Sequence, residues 1–208
     1  MRAAALTPTL SLLVVALGAS LCACAHGSPN PDTTRKESAM AAEDRGAPFA
    51  APKPDAETAL SKVLELIRSS KGIDDFTPER ISEVTGLRMN FDGPDRFGAG
   101  ERLTPEWNYS FYVNRAGLGG PQFMFSFDPS IIGQSPPATA ICGMDFDAFA
   151  TALEQIGFKK EIWYAEHGRI LKYTFDSSHM YVSVGTEGED DAPADKLAHQ
   201  CIRTVTVK

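Results

Sequence analysis

The first periodic segment of the chain has apolar residues at i, i+3, i+4 and i+7, which is the spacing of one helix face. These residues are Leu60, Val63, Leu64 and Ile67. Asp55 is placed to cap a helix that begins near Ala56, and Gly72 is placed to end it. The pattern therefore predicts an amphipathic helix that buries one face.

Two further segments carry the signals of short helices. In the first, Thr77 and Pro78 form a typical helix start, and Gly86 forms a stop. In the second, Asp147 is placed as the cap and Gly157 as the stop. The faces predicted to be buried consist of Ile81 and Val84 in the first helix, and of Phe149, Ala152, Leu153 and Ile156 in the second.

Alternation of apolar and polar residues predicts strands in the rest of the folded part. The strongest signal is a hairpin with a glycine-rich turn at 114–121 and an aromatic inner face that consists of Trp107, Tyr109, Phe111, Phe123, Phe125 and Phe127. Further strands are predicted at 87–91, 160–165, 170–176, 180–185 and 202–207. Segment 92–106 is rich in glycine, proline and charged residues and is predicted to be a loop.

This order of elements predicts the α+β class, with about three helices packed on one face of an antiparallel sheet. Segments 75–88 and 145–159 resemble each other, because each has a capped short helix, a stop glycine and a large apolar residue before antiparallel strands. Two similar α-β modules that arose by duplication would explain this pattern. Chance likeness of two helix boundaries would explain it as well.

Composition divides the chain into segments 1–23, 24–56 and 57–208. Residues 25–56 contain no Leu, Ile or Val and have five prolines. Such a segment cannot bury enough apolar surface to offset its ordering entropy, which predicts a disordered tether that spans roughly 30 Å on average. Residues 57–208 are predicted to form a single globular domain.

The first segment has the features of an export signal. Arg2 precedes an apolar stretch of 12 residues, Leu10 to Leu21. A membrane-spanning helix needs about 20 such residues, so this stretch is too short to be an anchor by itself.

The stretch ends in Leu21-Cys22-Ala23-Cys24, which resembles the lipobox of bacterial lipoproteins. The resemblance implies cleavage before Cys24, a diacylglycerol on its thiol and a fatty acyl chain such as palmitate on its amine. Ala25 at the next position implies the outer membrane, with the domain facing the periplasm. Cys22 departs from the lipobox pattern, where a small or β-branched residue is more usual, and an ordinary signal peptide is the alternative.

Two cysteines remain in the domain, Cys142 and Cys201. In the oxidising periplasm that the resemblance implies, two cysteines of one domain are expected to form a disulfide. The alternative is a redox pair or a free nucleophile, although neither cysteine belongs to a Cys-x-x-Cys motif.

The charge balance and the motif search exclude several function classes. The chain has 20 Lys+Arg and 27 Asp+Glu, a net charge of −7, which argues against nucleic acid as a partner. The sequence contains no Gly-x-Ser-x-Gly, Ser-x-x-Lys or His-Glu-x-x-His motif. No helix signal follows Gly98-Ala99-Gly100, as a phosphate-binding loop would need, and the histidines lack the spacing of metal ligands. We therefore predict no enzyme, no cofactor and no metal, and an enzyme with dispersed catalytic residues is the alternative.

Outward-facing aromatic residues are the candidates for contact with a partner. Tyr112, Trp163 and Tyr181 are expected on the side of their strands that faces away from the core, and Tyr and Trp dominate the energetics of protein interfaces. His167 and Arg169 belong to a tight turn that could enter a cleft of the partner. The alternatives are helices on both faces of the sheet, aromatic residues that lie apart, and a turn that only connects two strands.

An acidic domain on a tether, without catalytic motifs, suits capture of a basic protein by electrostatic steering. We therefore predict a lipid-anchored binder that neutralises a toxin or a basic hydrolase, as an immunity protein or inhibitor does. An assembly or scaffold lipoprotein that contacts a membrane complex or the cell wall is the alternative.

Overall fold

The computed structural model describes residues 55–189 and 199–208. The export signal, Cys24 and the predicted tether up to residue 54 lie outside the described residues, as does segment 190–198.

Three helices form where the periodic segments predict them. They are α1 (Ala56–Ser69), α2 (Pro78–Thr85) and α3 (Phe146–Gln155). Asp55 caps α1 by accepting a hydrogen bond of 2.7 Å from the Thr58 backbone N–H, and Thr77 caps α2 in the same way. None of the helices in the described part of the chain is long and apolar enough to cross a membrane.

The prediction of Asp147 as the cap of α3 is wrong. The cap is Asp145, whose carboxylate accepts a hydrogen bond of 2.8 Å from the Ala148 backbone N–H. Asp145 also forms a β-bridge with Cys201, so the backbone is already extended there and turns into the helix at the next residue. Asp147 lies in the first turn instead, where the helix dipole favours an acidic side chain.

Eight antiparallel strands form one sheet in the order β1-β2-β3-β4-β8-β7-β6-β5. Each half of the chain contributes four consecutive strands, and the last strand of each half, β4 and β8, pair in the middle. The strands are β1 (Asn90–Phe91), β2 (Arg96–Arg102), β3 (Trp107–Asn114), β4 (Gln122–Pro129), β5 (Lys159–Tyr164), β6 (Ile170–Asp176), β7 (Tyr181–Gly188) and β8 (Gln200–Val207).

The prediction of a loop over 92–106 is wrong, because β2 lies inside it. This strand pairs with β3 along its whole length, from Arg96 opposite Asn114 to Arg102 opposite Asn108. Its sequence lacks the usual alternation because glycine occupies two of the positions that face away from the core. The strand predicted over 87–91 is shorter in the structure, where β1 begins only at Asn90.

The helices pack on one face of the sheet, which we call the inner face. The six aromatic residues predicted for this face are all 3% exposed or less, and they form one core with apolar residues of α1, α2 and α3. The α+β class and the one-sided packing are therefore confirmed. The opposite, outer face carries no helix of the described residues.

A disulfide between Cys142 and Cys201 confirms the predicted pairing, with the two Cα atoms 4.7 Å apart. It joins the segment before α3 to the beginning of β8, where Cys201 is the second residue. The core is thereby linked covalently where α3 meets the sheet.

The two halves of the fold repeat one topology, in which a short helix precedes four antiparallel strands. Gly86 ends α2 and Gly157 follows α3, and both have positive φ angles, 76° and 99°. The residues that cap the two helices do not correspond. Asp145 is the first residue of its segment, 145–159, whereas Thr77 is the third residue of segment 75–88. The likeness is thus one of topology and helix ends.

Candidate functional site

The outer face contains a trough above β2, β3, β4 and β8, with a volume of about 680 Å³. Ligand sites typically measure roughly 300–1,000 Å³, so the trough is large enough to hold a ligand or the side chains of a partner. We call it the outer-face trough. Its concave floor exists because small residues face outward on three neighbouring strands: Gly98, Gly100, Ser110 and Ser126.

Two larger side chains form the apolar wall of the outer-face trough. Tyr112 on β3 and Met124 on β4 lie directly opposite each other in the register, and both are half-buried. Gly98 faces Tyr112 on the other side, so that no side chain covers the tyrosine from β2. An aromatic ring beside a polarisable thioether is a surface that accepts apolar groups of varied shape.

Hydrogen bonds satisfy the polar groups in the floor of the trough. The Ser126 hydroxyl donates to Oδ2 of Asp128 over 2.6 Å, and the hydroxyl of Ser110 lies 3.1 Å from that of Ser126. Ser126 is buried, whereas Asp128 is exposed at the end of the trough. These hydrogen bonds therefore hold the Asp128 carboxylate in place on an exposed residue.

The charge in the lining of the trough is negative. The lining contains the carboxylates of Asp92 and Asp128 and no Lys, Arg or His. Arg96 neutralises Asp92 over 3.3 Å. Among the described residues, no basic side chain forms an ion pair with Asp128. Asp128 is thus the carboxylate of the lining that is available to pair with a basic group of a partner.

A second candidate surface lies at the far edge of the sheet, in residues 159–172, which we call the exposed hairpin. Its apolar residues are exposed in an unusual number: Ile162, Trp163, Tyr164, Ile170 and Leu171. The exposed fraction is 50% for Trp163 and 61% for both Tyr164 and Leu171. Contiguous exposed apolar residues of this kind mark contact sites.

The exposed hairpin projects because β6 pairs with β7 only from Tyr173 onward. Beyond that point β5 and β6 pair with each other alone, with a bulge between Trp163 and Tyr164. His167 at the tip adopts a left-handed conformation, with φ of 63°. At the base, Trp163 is held in place, because its Nε1 donates a hydrogen bond of 3.0 Å to the Thr174 hydroxyl.

The structure distributes the predicted contact residues over different places. Tyr112 lies in the outer-face trough, whereas Trp163, His167 and Arg169 lie on the exposed hairpin. Tyr181 is half-buried at the start of β7, opposite Asp176, and lines neither surface.

Sequence reasoning missed several residues of both surfaces: Met124, Ser126 and Asp128 in the trough, and Tyr164, Ile170 and Leu171 on the hairpin. For the hairpin a signal existed, since apolar residues flank a tight turn on both sides. For the trough no local signal existed, because its residues come together only through the register of neighbouring strands.

Two other groups of polar residues have structural contacts of their own and are not candidates for a binding or metal site. On β3, Tyr109 is buried and donates a hydrogen bond of 3.0 Å to Glu101, and burial together with this carboxylate raises the pKa of Tyr109. Glu189 lies beside Cys142 and Cys201, with their potential ligand atoms within 4.8 Å of one another. Both sulfur atoms are bonded to each other there, and a disulfide offers no thiolate to a metal ion.

The outer-face trough and the exposed hairpin are thus the two strongest candidates among the described residues for contact with a ligand or partner. The first is apolar with an open carboxylate, and the second is aromatic with exposed strand ends. Comparisons with protein families, with curated proteins and with solved structures found no match to this chain.

Proposed function

We propose that this chain is a lipid-anchored protein of the bacterial outer membrane that faces the periplasm and binds another protein through the outer-face trough. The observation that carries the proposal is the trough itself, an apolar concavity of about 680 Å³ on a sheet face that no described helix covers. An open concave surface with an aromatic wall suits the anchor side chain of a partner.

The chemistry of the trough defines the partner's contact segment. An apolar or aromatic side chain of the partner would pack between Tyr112 and Met124 and displace water from the floor. A neighbouring Lys or Arg would pair with Asp128, which lines the trough and is exposed. The contact segment therefore combines an apolar residue with a basic one.

The acidity of the chain supports a basic partner. Its net charge of −7 raises the rate at which a basic protein encounters it, because opposite charges steer diffusion. A toxin or a cell-wall hydrolase with a basic surface fits this description. Binding neutralises such a partner when the domain covers its active site.

The lipobox-like Leu21-Cys22-Ala23-Cys24 supports the location. With Cys24 acylated, the predicted tether lets the domain capture a partner near the membrane. A membrane-held inhibitor acts on enzymes that enter the periplasm, where the cell wall is exposed.

The test is capture of partners from the envelope and secreted fractions of the native bacterium by the lipidated mature chain. The trough variant combines Tyr112→Ala with Asp128→Asn. The control combines Tyr181→Ala with Asp176→Asn, which changes the same residue types on the same face outside the trough. We expect one stoichiometric basic protein, inhibited when bound, whose affinity falls at least tenfold in the trough variant and is unchanged in the control.

Equal retention by both variants would contradict the role of the trough. Recovery of membrane-complex subunits or cell-wall fragments, with no inhibited enzyme, would instead support an assembly or scaffold lipoprotein. Measuring the activity of the captured protein in the bound and free state separates these outcomes.

A further inference from the structure

The exposed hairpin differs in charge from the rest of the chain. Residues 159–172 contain four basic side chains and two acidic ones, whereas the whole chain has an acidic excess of seven. The basic residues are Lys159, Lys160, Arg169 and Lys172. This group of exposed apolar residues therefore lies in a segment with an excess of two positive charges.

The apolar residues of the hairpin occupy both of its faces. Ile162 pairs with Tyr173 and faces the inner side, whereas Trp163 pairs with Lys172 and faces the outer side. Tyr164 pairs with Ile170 nearer the tip, and Leu171 is the extra residue at the bulge. A groove on a protein surface covers one face of a two-stranded ribbon, whereas a fluid interface can surround both faces at once.

The residue types also favour a lipid interface. Trp and Tyr are concentrated where a bilayer meets water, because their rings are amphipathic, and Lys and Arg nearby attract anionic headgroups. The cores of protein interfaces, in contrast, are depleted of Lys. Lys172 lies over the Trp163 ring, 5.3 Å from its centre, so that the basic and aromatic groups form one surface.

We propose that the exposed hairpin docks on an anionic phospholipid bilayer, with Trp163, Tyr164 and Leu171 in the headgroup region. This inference goes beyond the proposed function and does not depend on acylation of Cys24. On the lipid surface the hairpin would orient the domain, while the outer-face trough contacts the partner.

Tryptophan fluorescence tests the docking directly, because the chain has only two tryptophans. Trp107 is fully buried and Trp163 is half exposed, so a change on binding reports Trp163. The protein is the mature chain from residue 24 onward with Cys24→Ser, which lacks both the apolar export signal and the site of acylation. The probes are vesicles of phosphatidylcholine with phosphatidylglycerol, vesicles of phosphatidylcholine alone, and both with bromine on the acyl chains as a quencher.

We expect a blue shift and bromine quenching with the vesicles that contain phosphatidylglycerol, and little change with phosphatidylcholine alone. The combination of Tyr164→Ser with Leu171→Ser should weaken vesicle binding at least tenfold. Its control, Leu118→Ser with Ile132→Ser, removes two apolar residues elsewhere that are even more exposed, and it should bind like the parent chain. None of these four side chains is buried, so folding is preserved in both variants.

Charge variants test whether the basic side chains of the hairpin contribute to its binding to anionic lipid. Replacing Lys159 and Arg169 by Gln should lower vesicle binding by about fivefold per charge, since each basic residue near an anionic surface contributes about that factor. Lys71→Gln with Arg88→Gln is the control at exposed positions outside the hairpin.

The docking proposal is overturned when phosphatidylglycerol causes no change in Trp163 fluorescence, or when the hairpin variants bind vesicles as the controls do. Loss of a protein partner in these variants, without vesicle binding by the parent chain, would assign the hairpin to a protein interface.

Discussion

Gly98 on β2 approaches Phe111 on β3 so closely that a Cβ atom at Gly98 would lie 2.6 Å from the Phe111 carbonyl oxygen. Gly100 has the same relationship to the Tyr109 carbonyl, also 2.6 Å. These distances are shorter than a carbon–oxygen contact allows, so any other residue would move β2 away from β3. The two glycines thus permit both the pairing of β2 and the depth of the outer-face trough.

Substitution of Gly98 by Ala should therefore destabilise the fold by about 1–3 kcal/mol, the usual cost of forcing extra atoms into a packed site. The measurement is the free energy of unfolding in urea. Gly72→Ala is the control, because the nearest atom to a Cβ there is 3.9 Å away and the backbone is extended. A stability of Gly98→Ala equal to that of Gly72→Ala would show that β2 can shift at no cost.

Phe125 defines the centre of the core. It is fully buried in the middle of the sheet, and its ring lies 5.2 Å from that of Phe111 and 4.9 Å from that of Phe127. Phe125→Ala should lower the free energy of unfolding by about 3–5 kcal/mol, since it removes apolar contacts and leaves a cavity. Phe91→Ala, at a phenylalanine that is 65% exposed, should cost far less, and similar costs at both positions would contradict the assigned core.

The disulfide should stabilise the domain because it lowers the conformational entropy of the unfolded chain. Replacing Cys142 and Cys201 together by Ala should cost about 2–4 kcal/mol in the free energy of unfolding, because the bond closes a long loop. Mass mapping of the unreduced protein should find one cross-linked peptide pair and no free thiol at either position. Free thiols in the unreduced protein would contradict the structural role of this pair.

The sequence predicts the helices and the strongest strands because their signals are local. The stripe from Leu60 to Ile67 and the aromatic alternation from Trp107 to Phe127 each identify an element within a few residues. β2 escapes prediction because its stability comes from pairing with β3 rather than from its own apolar pattern.

The exposed hairpin escapes prediction for a related reason. Ile162 and Tyr164 share one face of the predicted strand, with Trp163 on the other face, so the sequence suggests that they belong to the core. They are exposed because β7 pairs with β6 only as far as Val184, and no local pattern indicates where that pairing ends. The outer-face trough likewise depends on which strands are neighbours, and Tyr112 is its one member that sequence reasoning identified.

The caps of α1 and α2 should respond differently to pH. The hydrogen bond from Thr58 lowers the pKa of Asp55, so the carboxylate stabilises the fold above the pKa of the unfolded chain and loses this effect as the pH falls through the lower folded pKa. Asp55→Ala should cost about 1 kcal/mol near neutral pH and less in acid. Thr77→Ala is the control, because a hydroxyl does not titrate and its cost should stay constant. A cost at Asp55 that does not change with pH would contradict capping by the carboxylate.

The two cysteines of the lipobox-like segment give the sharpest test of the anchor. If Leu21-Cys22-Ala23-Cys24 is a lipobox, as we propose, Cys24 stands at the acylated position and Cys22 is removed with the signal. Cys24→Ser should therefore abolish incorporation of labelled palmitate and leave the precursor uncleaved, whereas Cys22→Ser should be processed and labelled normally. Labelling in the native bacterium, followed by separation of the inner and outer membranes, measures both acylation and destination. If Cys24→Ser still takes up label, or if Cys22→Ser loses it, acylation occurs elsewhere and the position of the anchor has to be revised.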